Sequence, residues 1–211
     1  LPLDEMPCLV GTSETLLAQI KKGSEPLRFT LHGIYPANFE GLELVPFHRL
    51  YATRYALYFP LRTQEELAAF RAELAIREAE REALDRATTD RVVCGEQQPE
   101  SDHFVRMARS QIGHDDGRPW RETTDRFSYR MQPRERACKV RIAYRAEIMK
   151  EAVVSVEGIE LGRLTDNEAG EEAVAEFPLP ESLRQNPFLR ITIGRGNQKI
   201  TPHIYEVRLV E

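Results

Sequence analysis

The sequence lacks the long apolar runs and the short motifs that mark membrane proteins and several common enzyme classes. No apolar run approaches the roughly 20 residues that a helix needs to cross a bilayer, and no signal peptide is visible. A Gly-x-Ser-x-Gly elbow, a His-Glu-x-x-His pair and a phosphate-binding loop are also missing. We therefore predict no membrane partner, and nucleophilic catalysis has no supporting signal.

Cysteine is scarce and the charge is mixed. Cys8, Cys94 and Cys138 are widely spaced without a Cys-x-x-Cys pair. A single disulfide is conceivable, but a disulfide framework or a cysteine zinc site is not predicted. The net charge is −5 and the many arginines between 118 and 145 are interleaved with Asp and Glu. This pattern predicts a solvated surface and no nucleic-acid partner, which would require a basic face.

Length and composition predict a soluble, globular protein. With 211 residues, 41% of them hydrophobic and 30% charged, the chain can bury a core in one large domain or two small ones. The sequence opens at Leu1-Pro2-Leu3-Asp4 without an initiator methionine. We therefore expect it to be a piece of a longer chain. The compartment stays open, with a periplasmic or extracellular one favoured.

The first third of the sequence predicts a small partial β domain over residues 1–62. A short helix is expected over 12–23, with Thr12 or Ser13 as its cap and Gly23 as its end. Alternating or apolar runs then predict strands, which are too few to close a core alone. These strands are expected at Leu27–Leu31, Leu42–Val45 and Ala52–Phe59.

The clearest helix signal covers residues 63–87, and we predict a linking helix over 63–90. Thr63 is a capping residue, and Glu65 and Glu66 suit the positive end of the helix dipole. The apolar stripe is narrow, which favours a helix that lies on a surface or joins two units over a coiled-coil partner site.

Short strands separated by turn residues predict the fold class. From about residue 91 onward, period-two or apolar runs alternate with glycine and proline turns, a pattern typical of an all-β sandwich. We predict a mainly β chain in which a β-sandwich (jelly-roll) domain over 91–211 follows the linking helix. Its strands are expected at Phe127–Met131, Lys139–Ala146, Ala152–Val156, Ala173–Phe177, Leu189–Ile193 and Ile204–Val210.

The stretch from Cys94 to His103 carries the densest set of hydrogen-bonding side chains. Loops of this composition hold a ligand, a metal or a neighbouring domain. The acid pairs Glu96/Glu100 or Glu100/Asp102 could form a general acid–base pair. Nothing in the sequence indicates an acid with a raised pKa, and we expect a structural role. The candidate contact residues here are Glu96, Gln97, Gln98, Glu100, Asp102 and His103.

A metal site and an aromatic platform are two further hypotheses. Asp102, His103, His114, Asp115 and Asp116 fit no standard zinc spacing, although oxygen ligands at Asp115 and Asp116 could hold Ca²⁺. We predict no cofactor and expect a polar turn at 113–117.

Trp120, the only tryptophan, is flanked by Arg118 and Arg121 on an expected loop. It could stack on a sugar, but an anchoring role is favoured because tryptophan is mostly buried.

Two segments carry a resemblance to a known family. The first is Leu44-Val-Pro-Phe-His-Arg-Leu-Tyr-Ala-Thr-Arg-Tyr-Ala-Leu-Tyr-Phe-Pro60, and the second combines Gly95–His103 with Gly117-Arg-Pro-Trp-Arg121 and Phe127-Ser-Tyr129. Both resemble the region that follows the catalytic domain of glycoside hydrolase family 127, the β-L-arabinofuranosidase-like family. The chain departs from that pattern at Tyr51 and Ala52, where the family more often has His and Asp.

The resemblance implies a non-catalytic accessory region whose β-sandwich is similar to galactose-binding-like modules. The family's catalytic unit is an upstream α/α-barrel with a glutamate and a cysteine-bound zinc, and none of its motifs matches this chain. The expected partners are therefore that barrel and a plant-type glycan. Two alternatives stay open: a free-standing carbohydrate-binding module, and a protein-interaction scaffold, for which an exposed apolar patch on 1–61 would be the sign. A domain interface that has lost its partner would leave the same patch, so the patch does not separate a scaffold from an accessory region.

Overall fold

A computed structural model describes residues 7–50, 59–134, 136–165 and 172–211. It divides the chain into two units, Leu1–Arg81 and Glu82–Glu211. The strand predicted at Ala52–Phe59 lies outside the described residues, apart from Phe59. Within the described part of the chain, no helix is long and apolar enough to cross a membrane. All three cysteines are free, so the conceivable disulfide is not formed.

The first unit contains two small three-stranded sheets. Its elements are β1 (Cys8–Val10), α1 (Leu16–Gln19), β2 (Ile20–Lys22), β3 (Phe29–Leu31), β4 (Ile34–Tyr35), β5 (Glu43–Leu44) and β6 (Leu61–Arg62), with single 3-10 turns at Ala37–Phe39 and Phe47–Arg49. In one sheet, β1 pairs antiparallel with β4 and parallel with β6; in the other, β3 pairs with β2 and β5. Leu9, Leu31 and Ile34 form the buried core of this unit.

The helix predicted over 12–23 is mostly wrong. Only Leu16–Gln19 is helical, and its N-cap residue Thr15 makes no side-chain capping bond. The chain leaves the helix at Ile20, which pairs with Leu31 across the β2–β3 ladder. Sheet pairing with a strand distant in sequence thus overrides a weak local helix preference, as β-branched Ile20 allows.

The helix predicted over 63–87 is confirmed as α2 (Gln64–Ala87). Its start is a capping box: the Thr63 amide donates to Glu66 Oε2 (2.7 Å), and the Glu66 amide donates to Thr63 Oγ1 (3.1 Å). Leu67 is its one buried side chain among the described residues, which agrees with the narrow apolar stripe.

The second unit contains a nine-stranded sheet. Its strands are β7 (Thr88–Val93), β8 (Arg106–Asp115), β9 (Arg118–Met131), β10 (Lys139–Arg145), β11 (Ala152–Val156), β12 (Ile159–Leu164), β13 (Glu172–Pro178), β14 (Leu189–Arg195) and β15 (Ile204–Val210). The strand order is β12-β11-β14-β9-β15-β10-β13, and in addition β7 pairs with β15 and β8 pairs with β9. Two helical segments accompany the sheet, α3 (Gln97–Asp102) and a 3-10 turn at Glu181–Leu183.

Strand β9 joins two layers of this sheet. Its first half meets β15 at Arg121, and its second half pairs with β14 along Arg126–Met131. The first layer therefore contains β7, β15, β10 and β13, and the second contains β8, β9, β14, β11 and β12. Side chains from both layers share one buried core, to which Val207 and Ile142 contribute from the first layer and Tyr129 from the second.

Period-two alternation builds this core, as expected for strands with one buried face. On β14, Leu189, Ile191 and Ile193 are fully buried, whereas Arg190 and Thr192 face outward. The prediction of a mainly β chain with a β-sandwich after a helix is confirmed.

Candidate functional site

Within the stretch from Gly95 to His103, where a loop was predicted, Gln97–Asp102 form the short helix α3. Pro99 is the third residue of α3 and therefore lies in the first turn, where its missing N–H has no helical acceptor to lose. Gly95 precedes the helix with φ +85°, and a Cβ there would meet the Trp120 carbonyl oxygen at 2.6 Å. The predicted side chains consequently leave a helix in several directions instead of converging on one point.

Glu100 and Arg121 form a buried ion pair at the centre of this region. Arg121 Nε donates to Glu100 Oε1 (2.6 Å) and Nη2 donates to Oε2 (2.5 Å). The Tyr129 hydroxyl (2.6 Å) and the Gly95 amide (2.9 Å) also donate to Oε1. Each of the two charged side chains is only 5% exposed.

The electrostatics of Glu100 do not suit a general acid. Burial raises the pKa of this carboxyl, but the hydrogen bonds from Arg121, Gly95 and Tyr129 and the charge of Arg121 outweigh burial and hold the pKa below its ordinary value. Glu100 therefore stays ionised at neutral pH, and its four accepted bonds favour a structural role.

His103 closes the other end of α3. Its Nδ1 lies 2.6 Å from the Pro99 carbonyl oxygen and its Nε2 lies 3.0 Å from Asp90 Oδ1. The hydrogen bond with Asp90 raises the pKa of His103, against the effect of burial. Gln98 donates to Asp102 on the exposed side of the helix (2.8 Å).

A groove of about 650 Å³ lies on the outer face of the first layer of the second unit. Glu96 and Arg118 are the predicted site residues that line it, and the exposed Gln97 follows Glu96. We call it the mixed-charge groove because its walls carry both signs of charge. These charged residues are Arg91, Arg118, Arg141 and Arg208, with Glu96, Asp116, Glu172 and Glu206.

Ion pairs hold the charged groups of the mixed-charge groove in place. Arg91 Nε lies 2.6 Å from Glu206 Oε2, and Arg208 pairs with Glu206 as well as with Asp85 at 2.6 Å. Arg118 pairs with Glu172, and its Cζ lies 4.3 Å from the Tyr205 ring centroid.

Trp120 lies on strand β9, not on a loop, and it is half-buried. Its ring stacks on His203 with centroids 3.8 Å apart and an interplanar angle of 6°. It also packs on Gly113, where a Cβ would meet the indole at 2.3 Å. One ring face is therefore already covered, and the indole nitrogen is buried without a hydrogen-bond partner in the described structure.

Three of the side chains weighed as metal ligands, Asp102, His103 and Asp115, have separate partners. Asp115 lies 2.8 Å from His203 Nδ1 and accepts from the Tyr205 hydroxyl (2.9 Å). Burial raises the pKa of Asp115, but these two hydrogen bonds and the one from Arg145 outweigh burial and lower it to about 2. Asp116 and Gly117, both with positive φ, form the tight turn between β8 and β9. Among the described residues, no group of three or more ligands could hold a metal ion.

Sequence reasoning missed the residues that complete these contacts. Tyr129 was quoted only for the resemblance, and no role was predicted for His203, Tyr205 or Arg208. The alternation of apolar and polar residues in the neighbouring strands indicated which side chains point away from the core. It did not show that Tyr129 and Glu100, 29 residues apart, would meet.

Two family models match the sequence. The model of a family of unknown function (DUF6805) matches residues 83–210, and that of a domain of unknown function (DUF4986) matches residues 1–61. No curated protein matches.

Several solved structures overlap with part of the chain. A family 35 carbohydrate-binding module from Clostridium thermocellum is 10% identical, with 56% of this chain and 95% of that chain covered and a TM-score of 0.40. The C-terminal family 6 module of a laminarinase from Zobellia galactanivorans is 11% identical, with 57% and 98% covered and a TM-score of 0.39. A family 29 module from Piromyces equi is 10% identical, with 57% and 89% covered and a TM-score of 0.37.

Proposed function

We propose that this chain, which belongs to the DUF6805 family of unknown function through residues 83–210, is a non-catalytic accessory region that binds glycan in the mixed-charge groove. The observation that carries the proposal is the set of four guanidinium and four carboxylate groups that line one concave surface. Sugar hydroxyl groups both donate and accept hydrogen bonds, and this lining offers partners for both.

The ion pairs support binding because they fix the lining without using all of its hydrogen-bonding capacity. Within the described part of the chain, Arg91 bonds to Glu206 through Nε, which leaves the N–H groups of its two terminal nitrogens for a ligand. Arg141 approaches Glu176 through Nε as well, at 3.5 Å. Side chains held in this way lose less entropy when a ligand binds.

The predicted acids support an accessory role over a catalytic one. Glu100 is buried in its ion pair with a lowered pKa. Asp102 is bonded to Gln98 on the exposed side of α3. We expect the purified chain to hydrolyse no aryl arabinofuranoside. Measurable turnover that Glu100→Gln abolishes would contradict the proposal.

We further propose that the parent protein is a glycoside hydrolase of the β-L-arabinofuranosidase-like type, and that the first unit packs on an upstream catalytic barrel. The resemblance of residues 44–60 and 95–129 supports the parentage. The first unit exposes large apolar side chains, as a surface that another domain covers would do. These side chains are Leu17, Leu27 and Phe47, which are 81%, 67% and 66% exposed.

A calorimetric titration with arabinose- and galactose-containing oligosaccharides tests glycan binding. We expect saturable binding that the double variant Arg91→Gln/Arg141→Gln weakens at least about tenfold, since each arginine loses a charged hydrogen bond. Arg77→Gln, on the exposed surface of α2, is the matched control and should leave the affinity unchanged. The absence of binding, or equal losses in both variants, would overturn the proposal.

A further inference from the structure

The outer face of the second layer carries four arginines that belong to no site described above. Arg106 lies on β8, Arg126 and Arg130 lie on β9, and Arg190 lies on β14. We call this set the cationic face. A depression of about 380 Å³, lined in part by Arg106, Arg126 and Arg190, lies within it.

Strand register places the four arginines on the same side of the layer. Arg106 is opposite Ser128, and Arg190 is opposite Arg130. Phe127 and Tyr129 alternate with Arg126, Ser128 and Arg130 along β9, and both aromatic rings are buried in the core. The arginines therefore point away from the core.

These arginines have no carboxylate partner within ion-pair distance in the described part of the chain, in contrast to those of the mixed-charge groove. Arg190 Nη1 donates to the Ser128 hydroxyl (3.1 Å). Burial, then the charge of Arg106, lowers the pKa of Arg190; the charge of Glu157 opposes this shift and the charge of Arg130 adds to it, so repulsion between the like charges outweighs the nearby carboxylate. A bound anion would relieve this repulsion.

Two phenylalanines border the cationic face and hold one guanidinium. The Arg130 Cζ lies 3.7 Å from the Phe188 ring centroid and 5.3 Å from that of Phe104. Both rings are large exposed apolar groups, with 41% of Phe188 and 60% of Phe104 accessible. The face thus combines an oriented planar cation with apolar surface.

We propose that the cationic face is a second binding site, for an acidic glycan whose carboxylates come from uronic acid residues. Guanidinium groups bind carboxylates in a bidentate manner, and an exposed aromatic ring can pack against the C–H face of a pyranose. This site lies on the opposite layer from the mixed-charge groove, so it does not depend on binding there.

Charge favours an acidic glycan over a nucleic acid as the occupant. The chain has a net charge of −5. Glu157 accepts a bond from the Arg190 amide (2.6 Å). This carboxylate interrupts the continuous positive track that a polyphosphate backbone requires.

Titration of the full chain with trigalacturonic acid tests the proposal, with galactotriose as the neutral probe of equal length. We expect trigalacturonic acid to bind at least about tenfold more tightly than galactotriose at low salt, and added salt to reduce that difference. The exposed double variant Arg106→Gln/Arg126→Gln should weaken trigalacturonic acid binding at least about tenfold. Arg77→Gln/Arg81→Gln on α2 serves as the control and should change nothing.

The following outcomes overturn this second site. Equal affinity for the charged and neutral trisaccharides, or no binding of either, contradicts it. So does tighter binding of a short oligothymidine than of trigalacturonic acid, which would make this a nucleic-acid surface. If Arg91→Gln/Arg141→Gln, and not the cationic-face variant, removes trigalacturonic acid binding, the acid binds in the mixed-charge groove instead.

Discussion

The Glu100 carboxylate accepts bonds from Arg121, Tyr129 and Gly95, and through them it ties α3 to strand β9. A carboxylate in this position costs desolvation energy that only a complete set of partners offsets. Glu100, which the sequence offers as a candidate general acid, therefore has a structural role in the second unit.

Replacing Glu100 with glutamine should destabilise the second unit by about 3 kcal/mol or more, because the Arg121 charge would stay buried without its counter-ion. Urea-induced unfolding measures this change. Glu73→Gln, which breaks the exposed pair with Arg77, is the control and should cost less than about 1 kcal/mol. Similar losses of stability in the two variants would contradict a buried, fully hydrogen-bonded Glu100–Arg121 pair.

Gly95 is required for two reasons, its left-handed φ and its contact with the Trp120 backbone. Gly95→Ala should therefore lower the free energy of unfolding by more than the roughly 1–2 kcal/mol that left-handed backbone alone costs. Gly117 has nearly the same φ of +84° with nothing within 4 Å of an added Cβ, so Gly117→Ala isolates the backbone cost. Equal destabilisation by both changes would rule out the Trp120 contact as a cause.

At the scale of single elements, helix α2 owes its first turn to the Thr63–Glu66 capping box. Thr63→Ala should cost about 1 kcal/mol of unfolding free energy, and Thr63→Ser should restore most of it, because serine keeps the acceptor oxygen. Thermal unfolding followed by circular dichroism distinguishes the variants. A neutral Thr63→Ala substitution would show that the box contributes no stability.

How well the strands could be predicted depended on their burial. β11 and β15 match their predicted bounds, and β10, β13 and β14 match within a few residues, since each places apolar side chains in the core at period two. β8 was missed because it is a polar strand paired only with β9, and even its Met107 and Ile112 are exposed. β7 was missed because its first residues were taken as the end of the linking helix.

The candidate site was predictable only in part, because its contacts join elements distant in sequence. The composition of 94–103 marked a stretch dense in hydrogen-bonding side chains, and a contact role for it stays a prediction. It did not reveal that Glu100 would face Arg121 in the interior while Glu96 lines the mixed-charge groove. The cationic face had no local signal, because its arginines come from three strands whose register the sequence does not specify.

At the scale of the whole molecule, ionised carboxylates should make the fold sensitive to acid. The pKa of Asp115 is about 2 against an ordinary 3.8, and those of Glu100 and Asp90 are also lowered. A lowered folded-state pKa gives stability that is present above the unfolded value and lost as pH falls. The free energy of unfolding should therefore decrease between about pH 4 and pH 2.

The contribution of His103 to the free energy of unfolding has the opposite pH dependence. Its pKa is raised above the ordinary 6.5, so its contribution is full below that pH and is lost as pH rises through the folded-state pKa. Chemical unfolding at a series of pH values measures both the loss of stability at acid pH and the loss as His103 deprotonates. Asp115→Asn should reduce the loss at acid pH. A profile without any loss between pH 4 and pH 2 would contradict the lowered carboxylate pKa values.

The two outer faces of the sandwich differ in charge: one holds paired charges in a groove, and the other holds arginines without a carboxylate partner in the described part of the chain. The central claim is that the first of these binds glycan. Amide chemical shifts, recorded while an arabinose- or galactose-containing oligosaccharide is added to the labelled chain, test it most directly. We predict saturable shifts at groove residues on β7, β10, β13 and β15, such as Arg91, Arg141 and Arg208. An unchanged spectrum, or shifts confined to other surfaces, would contradict the claim.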